Sequence, residues 1–167
     1  MLADFACVRE ARLRDASALA DVFRDSWKLA YSGIIPHTHL MTMITRRGLP
    51  WWRDNLKKPR NVLVAEVSGR TAGYATYGPS RVPGRHRGEI YELYLAPEFQ
   101  GLGLGERLFE STRQRLDDLR LDGLIIWALT ENESACDFYW RRGGRPVATT
   151  TERFGGTAVP KTGFGWE

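Results

Sequence analysis

Gln100-Gly101-Leu102-Gly103-Leu104-Gly105 separates a strand-like run from a helix-like one, and the fold turns on how it is read. Before it, Glu89 to Ala96 reads as a strand, and Pro97 cannot extend a hydrogen-bonded ladder. After it, Leu104, Leu108, Phe109 and Leu116 recur at helical spacing, which predicts a helix through Leu116 or Leu119. Glycines at alternate positions permit tight turns and let a ligand come close to the peptide nitrogens. The N–H groups at a helix start, at the positive end of its dipole, form an anion site. A pyrophosphate is a natural ligand for such a loop. Two familiar phosphate loops fail. G-x-G-x-x-G would need a third glycine where Glu106 or Leu108 stands, and G-K-[ST] is missing from Gly105-Glu106-Arg107. A glycine-rich turn without a ligand stays open on the loop alone.

Upstream, Ala6 to Arg12 reads as a first strand and Asp15 as a helix N-cap. Leu19, Val22, Phe23, Trp27 and Ala30 then predict an amphipathic helix to about Tyr31. Gly33 and Pro36 break it, Pro36 can start a second, shorter helix, and a further helix is expected from Thr45 to Leu56. Val62 to Val67 and Thr71 to Tyr77 form a hairpin about Ser68-Gly69-Arg70, and Pro79 to Gly88 is a loop. Downstream come a buried-looking strand at Leu124 to Leu129 and a helix at Ser134 to Arg142. Two strands at Arg145 to Phe154 and Thr157 to Trp166 meet at Gly155-Gly156. The helix between the fourth and fifth strands lets those two run parallel, while the hairpins make their neighbours antiparallel. The fold class is therefore a mixed α/β (α+β) sheet with helices packed on it.

Composition narrows the function. The 167 residues suit one domain, 1–167, and 43% apolar with 26% charged residues is ordinary for a globular chain. No apolar run approaches the roughly 20 residues of a membrane span. Met1 to Arg14 lacks the apolar core of a signal peptide, so a cytoplasmic protein is expected. Cys7 and Cys136 make neither a disulfide framework nor a zinc pattern, and His37 and His39 lack a third ligand, so no metal is expected. The net charge of +4 favours anionic partners, but no basic stripe points to nucleic acid.

Further motifs give the loop a context. Gln100, Gly103 and Gly105 fit Q/R-x-x-G-x-G/A. Asn132-Glu133-Ser134-Ala135-Cys136-Asp137-Phe138-Tyr139, followed by Gly143-Gly144, resembles N-x-x-A-x-x-F-Y-x-x-x-G-F, with Gly144 in place of the last aromatic residue. Glu92-Leu93-Tyr94-Leu95-Ala96-Pro97 resembles E-L-Y-V-x-P. Ser26-Trp27 and Ala30 to Pro36 are similar to a segment frequent in one bacterial branch. In these motifs and in its element order, the chain resembles the GNAT family of N-acetyltransferases over most of its length.

The resemblance implies a fold in which the parallel fourth and fifth strands splay and acetyl-CoA enters the gap. Backbone groups of Leu93, Tyr94 and Leu95 would bond the pantetheine arm. Gln100 belongs to the loop motif, and N–H groups of Gly101, Leu102, Gly103, Leu104, Gly105 and Glu106 would hold the pyrophosphate. Asn132 would touch the cofactor near the fifth strand, and Tyr139 would face the coenzyme sulfur as the acid.

The acceptor is expected to be a small-molecule or peptide amine. A lysine-like amine is less than about 0.1% neutral at pH 7, and deprotonating it costs roughly 4–5 kcal/mol, so a base is useful. Glu89 and Glu92 are the candidates. Simple alternation puts them on opposite faces of the strand unless a bulge lies between them. Some relatives carry a glutamate in the fifth strand, where this chain has Trp127. The basic loop with Arg81, Arg85, His86 and Arg87 can attract an acidic acceptor or a coenzyme phosphate, or can simply be solvated. A non-catalytic acyl-CoA-binding module is the rival reading, and a homodimer is left open.

Overall fold

The computed structural model describes residues 5–167; Met1 to Asp4, part of the N-terminal segment read above, lie outside the described residues. Seven strands form one sheet in the order β1-β2-β3-β4-β5-β7-β6. They are β1 (Ala6–Glu10), β2 (Val62–Val67), β3 (Arg70–Pro79), β4 (Gly88–Leu95), β5 (Leu124–Leu129), β6 (Arg145–Phe154) and β7 (Thr157–Trp166). The helices are α1 (Ala16–Tyr31), α2 (His37–Arg46), α3 (Leu49–Leu56), α4 (Leu104–Asp118) and α5 (Glu133–Arg141). β4 and β5 are the parallel pair, as their intervening helix permits. The other neighbours run antiparallel. The expected mixed sheet with flanking helices is the observed fold.

Each face of the sheet is covered. On one, Leu108, Phe109 and Leu116 of α4 and Tyr139 of α5 pack on Leu63, Ala75, Ile90 and Ile126. On the other, Leu19 and Phe23 of α1 and Trp52 of α3 pack on Val62, Val64 and Tyr74. A smaller cluster on that second face joins Ile35 and Leu40 to Leu129, Phe154 and Val159. The strands alternate between the two cores because their side-chain period is two.

Two local expectations are corrected. Asp15 occupies the N-cap position of α1, as expected, but its carboxylate makes no capping bond to that helix. Its carboxylate accepts from Arg9 Nη1 and Nη2 at 2.8 Å and from the Arg12 N–H at 2.7 Å, and this pairing holds it below its ordinary value despite opposing burial. The helix expected from Thr45 starts at Leu49 instead. α2 runs on to Arg46, Arg47 and Gly48 form the break, and Pro50 sits in the first turn of α3, where its missing N–H costs nothing.

The register of β4 bears most directly on the site. Thr76 pairs with Glu92 but Tyr77 pairs with Ile90, so Tyr91 is an extra residue, a β-bulge. Gly78 pairs with Glu89. Thr76 and Gly78 share a face, and paired residues share a face, so Glu89 and Glu92 point the same way despite their odd separation. The Tyr91 ring lies over Gly78 on that side, where a Cβ would stand 2.8 Å from the tyrosine oxygen.

Candidate active site

β4 and β5 touch only at Gly88–Leu124, Glu89–Ile125 and Ile90–Ile126. From Tyr91 and Trp127 onward they diverge, although both strands continue, to Leu95 and Leu129. A wedge therefore opens in the middle of the sheet. The Ala96 N–H donates to the Ala72 carbonyl at 2.8 Å. Antiparallel alternation then commits the backbone of Tyr94 to β3 and turns that of Leu93 and Leu95 toward the wedge. The Leu95 carbonyl accepts there from Ser26 Oγ at 3.1 Å and Gln100 Nε2 at 3.4 Å. Tyr94 contributes a side chain instead: its hydroxyl and that of Tyr31 are 3.2 Å apart on the α1 face.

The glycine loop lies at the wide end of the wedge. Gly101 and Gly103 have φ of 78° and 79°, in the left-handed region, and a Cβ on either would meet nothing within 4 Å. Gly103 is the N-cap of α4, and no side chain caps that helix. The first-turn N–H groups of Leu104, Gly105 and Glu106 thus face an open cradle, and a pyrophosphate fits it. Gly105 serves another purpose, since a Cβ there would stand 3.2 Å from Leu95 Cδ1 and 3.3 Å from Phe138 Cε2. The Glu106 carboxylate, unfavourable beside an anion, is paired with Arg142 Nη1 at 3.0 Å. Leu102 is exposed at the loop tip.

Each glutamate has its own arginine. Glu92 accepts from Arg47 Nη2 at 3.1 and 3.2 Å, from the Tyr74 hydroxyl at 2.9 Å and from Thr76 Oγ1 at 3.3 Å. These contacts use about the four acceptor positions a carboxylate offers. Arg47 is itself enclosed, 3.8 Å from the Trp51 ring centre, 4.4 Å from Phe23 and 5.0 Å from Trp52. Glu89 is 1% exposed and accepts from the Arg81 N–H at 3.0 Å, Nε at 3.3 Å and Nη2 at 2.7 Å. Arg81 is therefore tied down, and its guanidinium lies 4.6 Å from the Tyr91 ring centre. Sequence reading missed Arg47, whose only signal was a cation beside two tryptophans.

On the opposite face, Tyr139 packs among Phe138, Phe164 and Trp166, and its hydroxyl forms no hydrogen bond among the described residues. Burial, then the proximity of Tyr31 and Cys136, push its pKa well up, so it stays protonated at neutral pH. Asn132 is the N-cap of α5, its Oδ1 accepting from the Ala135 N–H at 3.3 Å. Trp127 stands at the narrow end of the wedge, the first residue of β5 past its last pairing with β4.

A mixed sheet wedged open beside an uncapped, glycine-led helix is the architecture of the acyl-CoA N-acyltransferase fold. The acetyltransferase (GNAT) family model matches residues 19–144, and the chain belongs to that family of acetyl-CoA-dependent N-acetyltransferases. It is 30% identical over 161 residues to the uncharacterized N-acetyltransferase YuaI of Bacillus subtilis, covering 95% of this chain and 91% of that one. It is 29% identical over 92 residues to a mycothiol acetyltransferase of Propionibacterium freudenreichii, a match to 54% of this chain but only 30% of that longer protein. The PaiA N-acetyltransferase of Thermoplasma acidophilum, solved with coenzyme A, shares the fold with a TM-score of 0.74 at 18% identity, over 94% of this chain and 97% of that one. Among the described residues no helix is long and apolar enough to cross a membrane.

Proposed function

We propose that the chain, as one domain over residues 1–167, transfers an acetyl group from acetyl-CoA to a primary amine of a small molecule or peptide, by direct attack in a ternary complex. The observation that carries this reading is the three-pair contact of β4 with β5, which leaves a wedge ending at the uncapped start of α4. Bound acetyl-CoA supplies an activated thioester. N–H groups from Gly101 to Glu106 hold its pyrophosphate, and Leu93 and Leu95 hold the pantetheine arm through their backbone. Asn132, by capping α5, keeps Tyr139 at the wedge.

Tyr139 gives its proton to the departing sulfur as the C–S bond breaks and the C–N bond forms. The amine loses a proton toward Glu89, through water. Glu89 has an acceptor position to spare beside its Arg81 contacts but is 1% exposed, so the relaying water must lie within the site, whereas the contacts of Glu92 fill its carboxylate. Glu92 then acts as a fixed negative charge beside the aromatic wall.

An acceptor screen with acetyl-CoA, read by thiol release, tests the reading. Turnover with at least one amine is expected. Tight coenzyme binding without release across a broad amine panel would instead make the protein a binding module.

A further inference from the structure

The face of the wedge that carries Glu89 also carries a cation with no counter-ion among the described residues. Tyr91 and Trp127 are the first residues of β4 and β5 past their divergence, and each has a cation over its ring. Over Tyr91 that cation is Arg81, which Glu89 neutralises. Over Trp127 it is Lys161, with Nζ 5.1 Å from the ring centre. Lys161 is partly buried, and among the described residues no carboxylate lies within ion-pair distance of it.

Register fixes the side it faces. Lys161 pairs with Leu129 and Gly163 with Trp127, so Lys161 shares a face with Trp127 and Ile125. Ile125 pairs with Glu89. Lys161 therefore lies on the same face as Glu89, opposite the α4 core. β7 is two strands from β4, and because β4 and β5 have already diverged at Leu129, the partner of Lys161, the separation there exceeds the roughly 10 Å of two ordinary strand spacings and leaves room for a ligand between them. The lysine arm over Trp127 in the strand between carries the charge toward β4. Glu152, opposite Val159 on β6, is the nearest acid by register, yet it forms no ion pair with Lys161.

A partly buried ammonium without a counter-ion favours an anionic ligand, and a low-dielectric indole beneath it strengthens that attraction. Resting on the acetyl-transfer reading above, we infer that Lys161 is a specificity residue that binds the carboxylate of the acceptor. The acceptor class is then an amino acid or a close analogue, with a carboxylate within a few bonds of its amine.

The test compares acceptors in pairs: each proteinogenic amino acid, its carboxamide, and the amine that lacks the carboxyl group, with acetyl-CoA and thiol release as the signal. The free acid of at least one set is expected to exceed its amide by about tenfold or more in kcat/KM, the difference lying in KM. Lys161→Met should abolish that preference while leaving coenzyme A affinity and the amide rate within about twofold, and Lys161→Arg should restore much of it. Equal rates for acids and amides, or a preference that survives Lys161→Met, overturn the assignment and leave acetyl transfer standing. No release from any amine, with coenzyme still bound, overturns acetyl transfer and this assignment with it. Loss of coenzyme affinity in Lys161→Met but not in Lys161→Arg counts against it too, since the charge then serves the donor.

Discussion

A single nitrogen, Arg47 Nη2, bridges both carboxylate oxygens of Glu92, at 3.1 and 3.2 Å, while the same guanidinium stacks on Trp51. Arg47 is the hinge residue between α2 and α3, and Glu92 lies in the middle of β4. The pair therefore fastens the α2–α3 elbow to the strand that forms one edge of the wedge. Arg47→Met would leave a largely buried carboxylate with only Tyr74 and Thr76 as donors. The two side chains are 14% and 17% exposed, so the cost falls below that of a fully buried pair, at about 2–3 kcal/mol. Urea denaturation measures it. Adding Glu92→Gln should recover part of the loss, because the stranded charge is removed.

Tyr139→Phe separates chemistry from packing. The hydroxyl has no hydrogen-bond partner among the described residues, while the ring touches Phe138, Phe164 and Trp166. Removing the oxygen should leave stability unchanged within about 0.5 kcal/mol, since no protein hydrogen bond is lost. If the phenol is the acid at the departing sulfur, kcat should fall by about 100-fold with coenzyme affinity preserved. An unchanged kcat in steady-state assays would remove Tyr139 from the mechanism.

Alkaline pH should unfold the protein through its tyrosines. All six, Tyr31, Tyr74, Tyr77, Tyr91, Tyr94 and Tyr139, have pKa values raised first of all by burial. Their folded values lie above the unfolded one, so the native state binds more protons at high pH. The stability they contribute is complete below about pH 10, the unfolded value, and is lost as pH rises above it. Tyrosinate absorbance should therefore stay low in the folded protein past pH 10 and rise cooperatively with the loss of circular dichroism. Independent, early titration of most tyrosines would contradict the burial described.

Gly144 explains where the chain departs from the family's motif. An aromatic residue would follow Gly143 in that pattern, but here the indole of Trp166 fills the space. A Cβ on Gly144 would stand 2.4 Å from Trp166 Cζ2, and Trp166 Nε1 donates to the Arg142 carbonyl at 3.0 Å. Gly144→Ala should thus destabilise by about 1–3 kcal/mol through overpacking, and Gly144→Phe by more. Thermal denaturation of the two variants checks the order.

These contacts mark the limit of what sequence could supply. Element order and both final strands were legible because apolar period and glycine pairs are local signals; Arg145 to Phe154 and Thr157 to Trp166 end where expected. The bulge at Tyr91 was not, because it exists only in the pairing with β3. Arg47 meets Glu92 across 45 positions, and Trp166 meets Gly144 across the α5–β7 packing, so neither leaves a periodic trace. Asp15 resembled a cap, yet its carboxylate finds a stronger partner in Arg9, which sequence spacing alone does not reveal.

The loop that decides the fold also separates its glycines by function. Gly103 has φ of 79° and open space where a side chain would go, so the cost of Gly103→Ala is conformational, about 1–2 kcal/mol for a left-handed alanine. The backbone can escape that strain by turning away, which would misdirect the first N–H groups of α4. Coenzyme A affinity should then fall about tenfold, measured by calorimetry. Gly105→Ala has no such strain, because that residue is helical, and alanine favours a helix. Its Cβ instead presses on Leu95 and Phe138 at 3.2 and 3.3 Å, where flexible side chains can yield. Stability should stay within about 1 kcal/mol of the parent, with a smaller loss of coenzyme affinity than at Gly103. The reverse order of affinities would place the anion elsewhere than at the start of α4.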